Sequence, residues 1–188
     1  MAAGASSRFG SDKLSAEINN RPMIEYAFDA VPTDKLRTVL TVTGSDQIAA
    51  LSALRGFRCI RNDHPEKGLS HTIRLGTEAL AKECSAILYM VADQPLLRPE
   101  SVSGLIDFYL EHPQNIVCAA SYGRRGNPCI FPERYFSSLM ALKGDRGGSA
   151  VIRSNEESLL LYEIPGRELI DADTPEALRQ LFPVTDTN

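Results

Sequence analysis

The feature that most constrains the fold of this chain is the alternation of short apolar runs, rich in β-branched residues, with segments of helical periodicity. This pattern predicts strands over residues 36–43, 57–60, 86–92, 115–121 and 158–164, and a loop followed by a strand over residues 123–131. Helical patterns are found after Pro22 and over residues 46–54, 69–80, 99–109, 132–142 and 175–182, and residues 144–155 read as a glycine-bearing turn that leads into a short helix. Strands that alternate with helices predict an α/β fold of three layers around a mostly parallel sheet.

One strand of this pattern ends in a carboxylate. Residues 86–92 read AILYMVA, and Asp93 follows directly, before Gln94 and Pro95. Sheets of this kind bind ligands at the carboxyl ends of their strands, and an oxygen ligand there suits Mg²⁺. The alternative is an ordinary aspartate that caps the turn after the strand.

The first thirteen residues form a second candidate site, and they read MAAGASSRFGSDK. Small residues leave the backbone N–H groups accessible, and such groups form concave anion-binding sites. Arg8 and Lys13 then add two cations, a planar fork and a mobile point charge. The stretch predicts a polyphosphate site, although it matches neither GxxxxGK[ST] nor GxGxxG. The alternative is a flexible terminus.

The pattern A-A-G-x-S-x-R-F-G-x-x-K, from Ala2 to Lys13, resembles the signature loop of the MobA-like nucleotidyltransferases. Within that family it is most similar to the molybdenum cofactor cytidylyltransferases. The resemblance implies a Rossmann-like nucleotide-diphospho-sugar transferase fold and assigns catalysis to Arg8, Lys13 and Asp93. It implies that an NTP is bound through Ala2, Ala3, Gly4, Ala5, Ser6, Arg8 and Lys13.

Two carboxylate segments extend the resemblance to a metal site. ADQP resembles the magnesium-binding D-x-P segment of the family, which makes Asp93 a ligand. DADTPEA resembles D-x-D-T-P-E-D, and it offers Asp171 and Asp173 as further ligands, with Asp173 favoured. The alternative for Asp173 is support of the N-terminus of the last helix. Ala177 departs from the final aspartate of the family pattern.

Further segments resemble the nucleotide and acceptor sites of the family. Asn62, Gly68 and Ser70 match N-P-x-x-x-x-G-x-S-x-S, although Asp63 replaces the proline, and they are expected to contact the nucleotide. The acceptor residues implied by D-Q-P, GRRGNP and GDRGG are Gln94, Arg125, Asn127 and Asp145. The alternatives are a helix N-cap, a solvated hairpin and a helix-start turn.

The resemblance implies Mg²⁺-dependent transfer of CMP, with GMP less favoured, from an NTP to the phosphate of molybdopterin or molybdenum cofactor, with release of pyrophosphate. The A-A-G, R-F-G and D-Q-P elements favour CTP. A molybdoenzyme or its maturation chaperone is a further expected partner. Two alternatives stay open: a cytidylyltransferase for a sugar or polyol phosphate such as methylerythritol phosphate, and a non-catalytic nucleotide-binding protein.

The composition of the chain argues against several other classes of protein. A net charge of −4 argues against broad binding of nucleic acid, and no apolar run is long enough for a membrane span. No signal-peptide pattern is present, so a cytoplasmic location is expected. The four cysteines lack CxxC spacing and lie in or beside apolar segments, which predicts buried free thiols.

The expected organisation is a single nucleotidyltransferase domain over residues 1–182 with a flexible tail over residues 183–188. In the resembling family an apolar strand leads directly into the opening loop. Here Met1 stands where the last residue of that strand is expected. We therefore expect the first strand to be missing or truncated, with a loss of stability or activity.

Overall fold

The computed structural model describes residues 13–182. Its strands are β1 (Glu17–Ile18), β2 (Arg21–Pro22), β3 (Leu40–Thr43), β4 (Arg58–Arg61), β5 (Ala86–Tyr89), β6 (Ile116–Ser121), β7 (Arg124–Pro132) and β8 (Leu159–Glu163). Its α-helices are α1 (Met23–Asp29), α2 (Asp46–Leu54), α3 (Leu69–Leu80), α4 (Pro99–Glu111), α5 (Phe136–Met140), α6 (Gly148–Arg153) and α7 (Pro175–Leu181). The predicted α/β alternation is confirmed.

The larger sheet has the strand order β5-β7-β6-β8. β6 and β8 are parallel, whereas β7 runs antiparallel to both β5 and β6. The sheet is therefore mixed rather than mostly parallel. The reason is local: β6 and β7 are joined by Tyr122 and Gly123, both with positive φ, and a two-residue turn of this kind forces an antiparallel hairpin.

Helices cover both faces of this sheet. On β6, Ile116 and Cys118 pack in the apolar cluster that includes α3, α5 and α6, while Val117 and Ala119 pack in the cluster of α4. Neighbouring residues of a strand point to opposite faces, so β6 contributes to two cores at once. The three-layer arrangement predicted from the sequence is confirmed here.

The strands β3 and β4 form a separate parallel pair, linked by α2. A cavity of about 290 Å³ is lined by both β3 and β5, with Val42 and Ile87 among its walls. Ile24 of α1 and Gly76 of α3 also line it. The hydrogen-bonded ladders of residues 13–182 thus form two main sheets that border one cavity.

Smaller predictions are confirmed in part. Thr174 caps α7 by accepting a hydrogen bond from the Ala177 N–H at 3.1 Å. All four cysteines are free, and the prediction that they are buried is confirmed for Cys118 and Cys129. Cys84 is only partly buried, and the prediction is wrong for Cys59, because three of the four residues of β4 are exposed. None of the helices between residues 13 and 182 combines the length and apolar character that a membrane crossing needs.

Candidate active site

The centre of the candidate site is a backbone contact between two distant parts of the chain. The N–H of Ala172 donates to the carbonyl of Asp93 at 2.8 Å. Ala172 is completely buried and packs in one apolar cluster with Leu14, Met23 and Ala92. The small core therefore holds the segment after β5 against the segment before α7, and it brings the predicted carboxylates together.

Lys13 lies between two of these carboxylates. Its Nζ donates to Asp93 Oδ2 at 2.9 Å and to Asp173 Oδ1 at 2.8 Å. The Lys13 side chain is only 12% exposed. Burial alone would lower the pKa of Lys13, but the hydrogen bonds to Asp173 and Asp93 outweigh burial and raise that pKa. The two carboxylates therefore favour the charged form of Lys13.

Asp171 points to a different partner. Gln94 Nε2 donates to Asp171 Oδ1 at 3.0 Å and to the Leu169 carbonyl at 3.3 Å. Desolvation raises the pKa of Asp171, and the negative charges of Asp93 and Asp173 raise it further. Asp171 is thus held beside the carboxylate pair, but it does not share Lys13 in the contacts seen here.

The donor set at this edge fits a divalent cation. Asp93 and Asp173 already place one oxygen each on a single cation, and carboxylate oxygens are the ligands that Mg²⁺ prefers. Within residues 13–182, no group of three or more His, Cys, Asp or Glu side chains is arranged to hold a metal ion. The three predicted ligands therefore do not form such a group, although Asp93 and Asp173 both contact the Lys13 ammonium group.

Gln94 is almost completely buried, and its two amide atoms differ. Nε2 donates hydrogen bonds to Leu169 and Asp171 in the segment before α7, whereas Oε1 has no hydrogen-bond partner within residues 13–182. The contacts show Gln94 bracing the Asp171 segment. Its predicted role in acceptor binding stays a prediction.

A second group forms where α3 begins. Gly68 has φ +77°, and a Cβ at this position would lie 2.4 Å from Asp145 Oδ1 and 2.7 Å from the Gly144 carbonyl. The Ser70 N–H donates to that same carbonyl at 3.1 Å. The structure therefore brings the predicted nucleotide residues Gly68 and Ser70 directly against the predicted acceptor residue Asp145, and only glycine fits at position 68.

Asn62 is buried and ties β4 to α3. Its Nδ2 donates to Thr72 Oγ1 at 3.1 Å, and its Oδ1 accepts from the His64 N–H at 3.0 Å. Both ends of its side-chain amide thus have a protein partner. These contacts give Asn62 a structural role, and its predicted contact with the nucleotide stays a prediction.

His71, on the first turn of α3, receives a hydrogen bond from Arg74 at its Nδ1, at 2.8 Å. Burial lowers the pKa of His71, and the positive charge of Arg74 lowers it further. The ring is therefore neutral at pH 7. It serves as an acceptor for Arg74, consistent with a residue at a helix start rather than a cation for phosphate.

The hairpin residues lie near the same edge. Arg125 and Asn127 are on the first half of β7, and Arg125 is exposed. Between them, Gly126 approaches Leu169 so closely that a Cβ would be 3.2 Å from its methyl groups. Since the Leu169 carbonyl accepts from Gln94, the hairpin is linked to the Asp171 segment.

The remaining predicted residues lie outside the described part of the chain: Ala2, Ala3, Gly4, Ala5, Ser6 and Arg8. The contact that sequence reasoning missed is that of Lys13 with Asp93 and Asp173, because Lys13 was assigned only to phosphate. The partners are 80 and 160 residues away in sequence. The signal available in the sequence was the abundance of carboxylates at the same predicted edge.

The MobA-like NTP transferase domain matches residues 1–159, and the chain belongs to this family of nucleotidyltransferases. It is 26% identical to the purine catabolism protein PucB of Bacillus subtilis, over 94% of this chain and 90% of that protein. It is 31% identical to a Geobacillus protein named "Probable molybdenum cofactor guanylyltransferase", over 66% of this chain and 63% of that protein.

Solved structures show the same fold. Rv0371c from Mycobacterium tuberculosis superposes with a TM-score of 0.81 at 22% identity, covering 96% of this chain and 93% of that one. A second structure of Rv0371c, a complex with manganese, has a TM-score of 0.75 at 19% identity and covers 94% of this chain and 93% of that one. The predicted fold class is confirmed.

Proposed function

We propose that this chain transfers CMP from CTP to the phosphate of molybdopterin or of molybdenum cofactor and releases pyrophosphate. The observation that carries the proposal is the meeting of Lys13, Asp93 and Asp173 at the sheet edge after β5. Family membership supports nucleotidyl transfer, and the name of the Geobacillus relative supports a molybdenum cofactor acceptor. The preference for CTP rests on the sequence elements A-A-G, R-F-G and D-Q-P.

We further propose that the residues Asp93 and Asp173 hold Mg²⁺, with Asp171 beside them. The manganese complex of Rv0371c supports a divalent ion in this fold. When bound, such an ion supplies neutralisation of the negative charge on the NTP phosphates. The protein contributes the fixed carboxylates, and the Ala172–Asp93 backbone bond keeps them in register.

In this reaction the protein aligns the two substrates and neutralises the developing negative charge, and no covalent intermediate with the protein is needed. An oxygen of the acceptor phosphate forms a bond to the α-phosphorus of CTP. The bond from that phosphorus to the bridging oxygen of the β-phosphate breaks, and pyrophosphate leaves. Lys13 and Arg8 would neutralise the leaving group, and Gly68 and Ser70 would face the nucleotide. Arg125, Asn127, Asp145 and Gln94 would face the acceptor.

The test is pyrophosphate release with Mg²⁺ and each of CTP, GTP, ATP and UTP, with and without molybdopterin. We expect release with CTP only when molybdopterin is present. Asp93→Asn should lower the rate about 100-fold or more, because it removes a charged ligand at the reacting phosphates. Asp107→Asn is the matched control, since Asp107 pairs with Lys35 at an exposed site on α4.

Other outcomes would replace parts of the proposal. Release with GTP alone would overturn the CMP assignment and leave nucleotidyl transfer intact. Release with CTP and methylerythritol phosphate, but not with molybdopterin, would identify a polyol phosphate cytidylyltransferase. Binding of CTP without pyrophosphate release from any acceptor would identify a non-catalytic nucleotide-binding protein.

A further inference from the structure

The position of Lys13 has a consequence for the order of binding. Two carboxylates from distant parts of the chain each place an oxygen less than 3 Å from its Nζ, so these oxygens lie within about 6 Å of each other. Oxygen ligands of one Mg²⁺ ion are about 3–4 Å apart. The ammonium group therefore occupies the space into which both carboxylates would direct a metal ion.

We propose that Lys13 is an internal cation that holds the metal site before the nucleotide arrives, and that it exchanges with the divalent ion when its ammonium group moves to the NTP phosphates. The inference rests on the proposed function, because it takes Asp93 and Asp173 as the metal ligands and Lys13 as a phosphate contact. Metal binding then becomes conditional on nucleotide binding.

Charge disfavours the presence of both cations between Asp93 and Asp173. These two carboxylates carry two negative charges, which balance one divalent ion, or one ammonium group with one charge remaining. The third carboxyl, Asp171, accepts a hydrogen bond from Gln94 instead. If the Lys13 ammonium group stayed between the carboxylates, it would lie only a few ångströms from the divalent ion and would repel it. The triphosphate removes this conflict, since its oxygens offer Lys13 a more highly charged partner.

The exposure of the three side chains allows the exchange. Asp173 is 62% exposed and Asp93 is 29% exposed, so both carboxylates can adjust when the cation changes. Lys13 is 12% exposed, but its four-carbon stem can turn without moving the backbone. The residue that follows, Leu14, is packed in the apolar cluster and fixes the point from which the stem turns.

The exchange predicts a coupling that is reciprocal. If nucleotide withdraws Lys13 and so raises the affinity for metal, then metal raises the affinity for nucleotide by the same factor. Removing the ammonium group should make the empty protein bind metal more tightly and should weaken the coupling. A purely phosphate-binding lysine would have no effect on metal affinity without nucleotide.

The experiment is titration of the full chain with Mn²⁺ in the absence of nucleotide, followed by electron spin resonance of the free ion. We expect Lys13→Met to bind Mn²⁺ about tenfold more tightly than the wild type. Lys35→Met is the matched control, since Lys35 pairs with Asp107 away from this edge, and it should bind like the wild type. Addition of Asp93→Asn to Lys13→Met should abolish the gain.

Equal or weaker Mn²⁺ binding by a folded Lys13→Met would overturn the exchange. If that variant does not fold, the ¹⁵N resonance of the Lys13 ammonium group in the wild type replaces it. We expect that resonance to shift when Mg²⁺ and CTP are added together and to stay unchanged when Mg²⁺ is added alone. A shift caused by Mg²⁺ alone, while the ion pair stays intact, would also overturn the exchange. Tighter Mn²⁺ binding by Lys13→Met, with no pyrophosphate release from any NTP by the wild type, would support the exchange and reject the proposed function. Pyrophosphate release by the wild type, without tighter Mn²⁺ binding by Lys13→Met, would support the proposed function and reject the exchange.

Discussion

The four-stranded sheet and the β3–β4 pair differ in how completely their strands are covered. The first five residues of β6 are all buried, with helices on both faces, whereas three of the four residues of β4 are exposed. β3 borders a cavity of about 290 Å³. We infer that the larger sheet contributes more to the stability of the protein, while the smaller pair is contacted mainly by α2 and α3.

The candidate site draws on both regions. Asp93 follows β5 of the larger sheet, while Leu14, the residue next to Lys13, belongs to the apolar cluster that includes α1 and α2. Because α2 also packs against β3 and β4, the ion pairs of Lys13 connect the larger sheet with the part of the molecule that carries the smaller pair. Changes at β3 are expected to reach the site through this junction.

The largest expected effect comes from a matched pair of valines. Val117 on β6 and Val42 on β3 are 0% and 4% exposed. We expect Val117→Ala to lower the free energy of unfolding by about 2–3 kcal/mol and Val42→Ala by about 1 kcal/mol, because Val42 already borders empty space and loses fewer contacts. Urea unfolding measures both. Equal losses would show that the two sheets are packed equally well.

A strand supplied to the cavity should reduce this difference. We propose that an apolar β-strand fits between β3 and β5, and we expect a chain extended at its N-terminus by about six apolar, β-branched residues to gain on the order of 2 kcal/mol. Thermal melting and hydrogen exchange of β3 and β5 measure the gain. A glycine- and serine-rich extension of equal length is the control. Equal stability of both extended chains would reject a strand site.

The smallest expected effect lies at the boundary, at Asp171. Burial and nearby negative charge raise its pKa, so the folded protein holds this proton more tightly than the unfolded chain, whose ordinary value is 3.8. Stability contributed by this carboxyl is therefore present below about pH 4 and is lost as the pH rises through the raised value.

Asp171→Asn removes the loss of stability that accompanies ionisation of this carboxyl, and it keeps a side-chain oxygen that can accept a hydrogen bond from Gln94. The variant should be slightly more stable than the wild type at pH 7, and the difference should vanish near pH 3. Because Asp171 is exposed, solvent screens its interactions and keeps the expected difference to no more than about 0.5 kcal/mol. Urea unfolding at the two pH values measures this, in metal-free buffer. A variant that is less stable at pH 7 would contradict the raised pKa.

Much of the fold was predictable because its signals are local. The strand predicted over residues 86–92, the cap by Thr174 and the proline at the start of α4 each depend on neighbours within a few residues. The cap and the proline are confirmed, whereas β5 covers only Ala86–Tyr89, so residues 90–92 separate it from Asp93. The antiparallel course of β7 was missed, although Tyr122 and Gly123 form a two-residue turn of the type that hairpins favour. The exposure of Cys59 was also missed, because apolar neighbours in sequence do not show which strand lies at an edge.

The amino-acid sequence by itself determined the α/β class, the family, and the positions of Asp93, Asp171 and Asp173 at strand and helix ends. Only the tertiary structure decided that Asp93 and Asp173 share Lys13 while Asp171 turns to Gln94. Helix periodicity and capping are set within about one turn of the chain. Contacts between residues 80 and 160 positions apart exist only after the sheet has assembled and packed its helices.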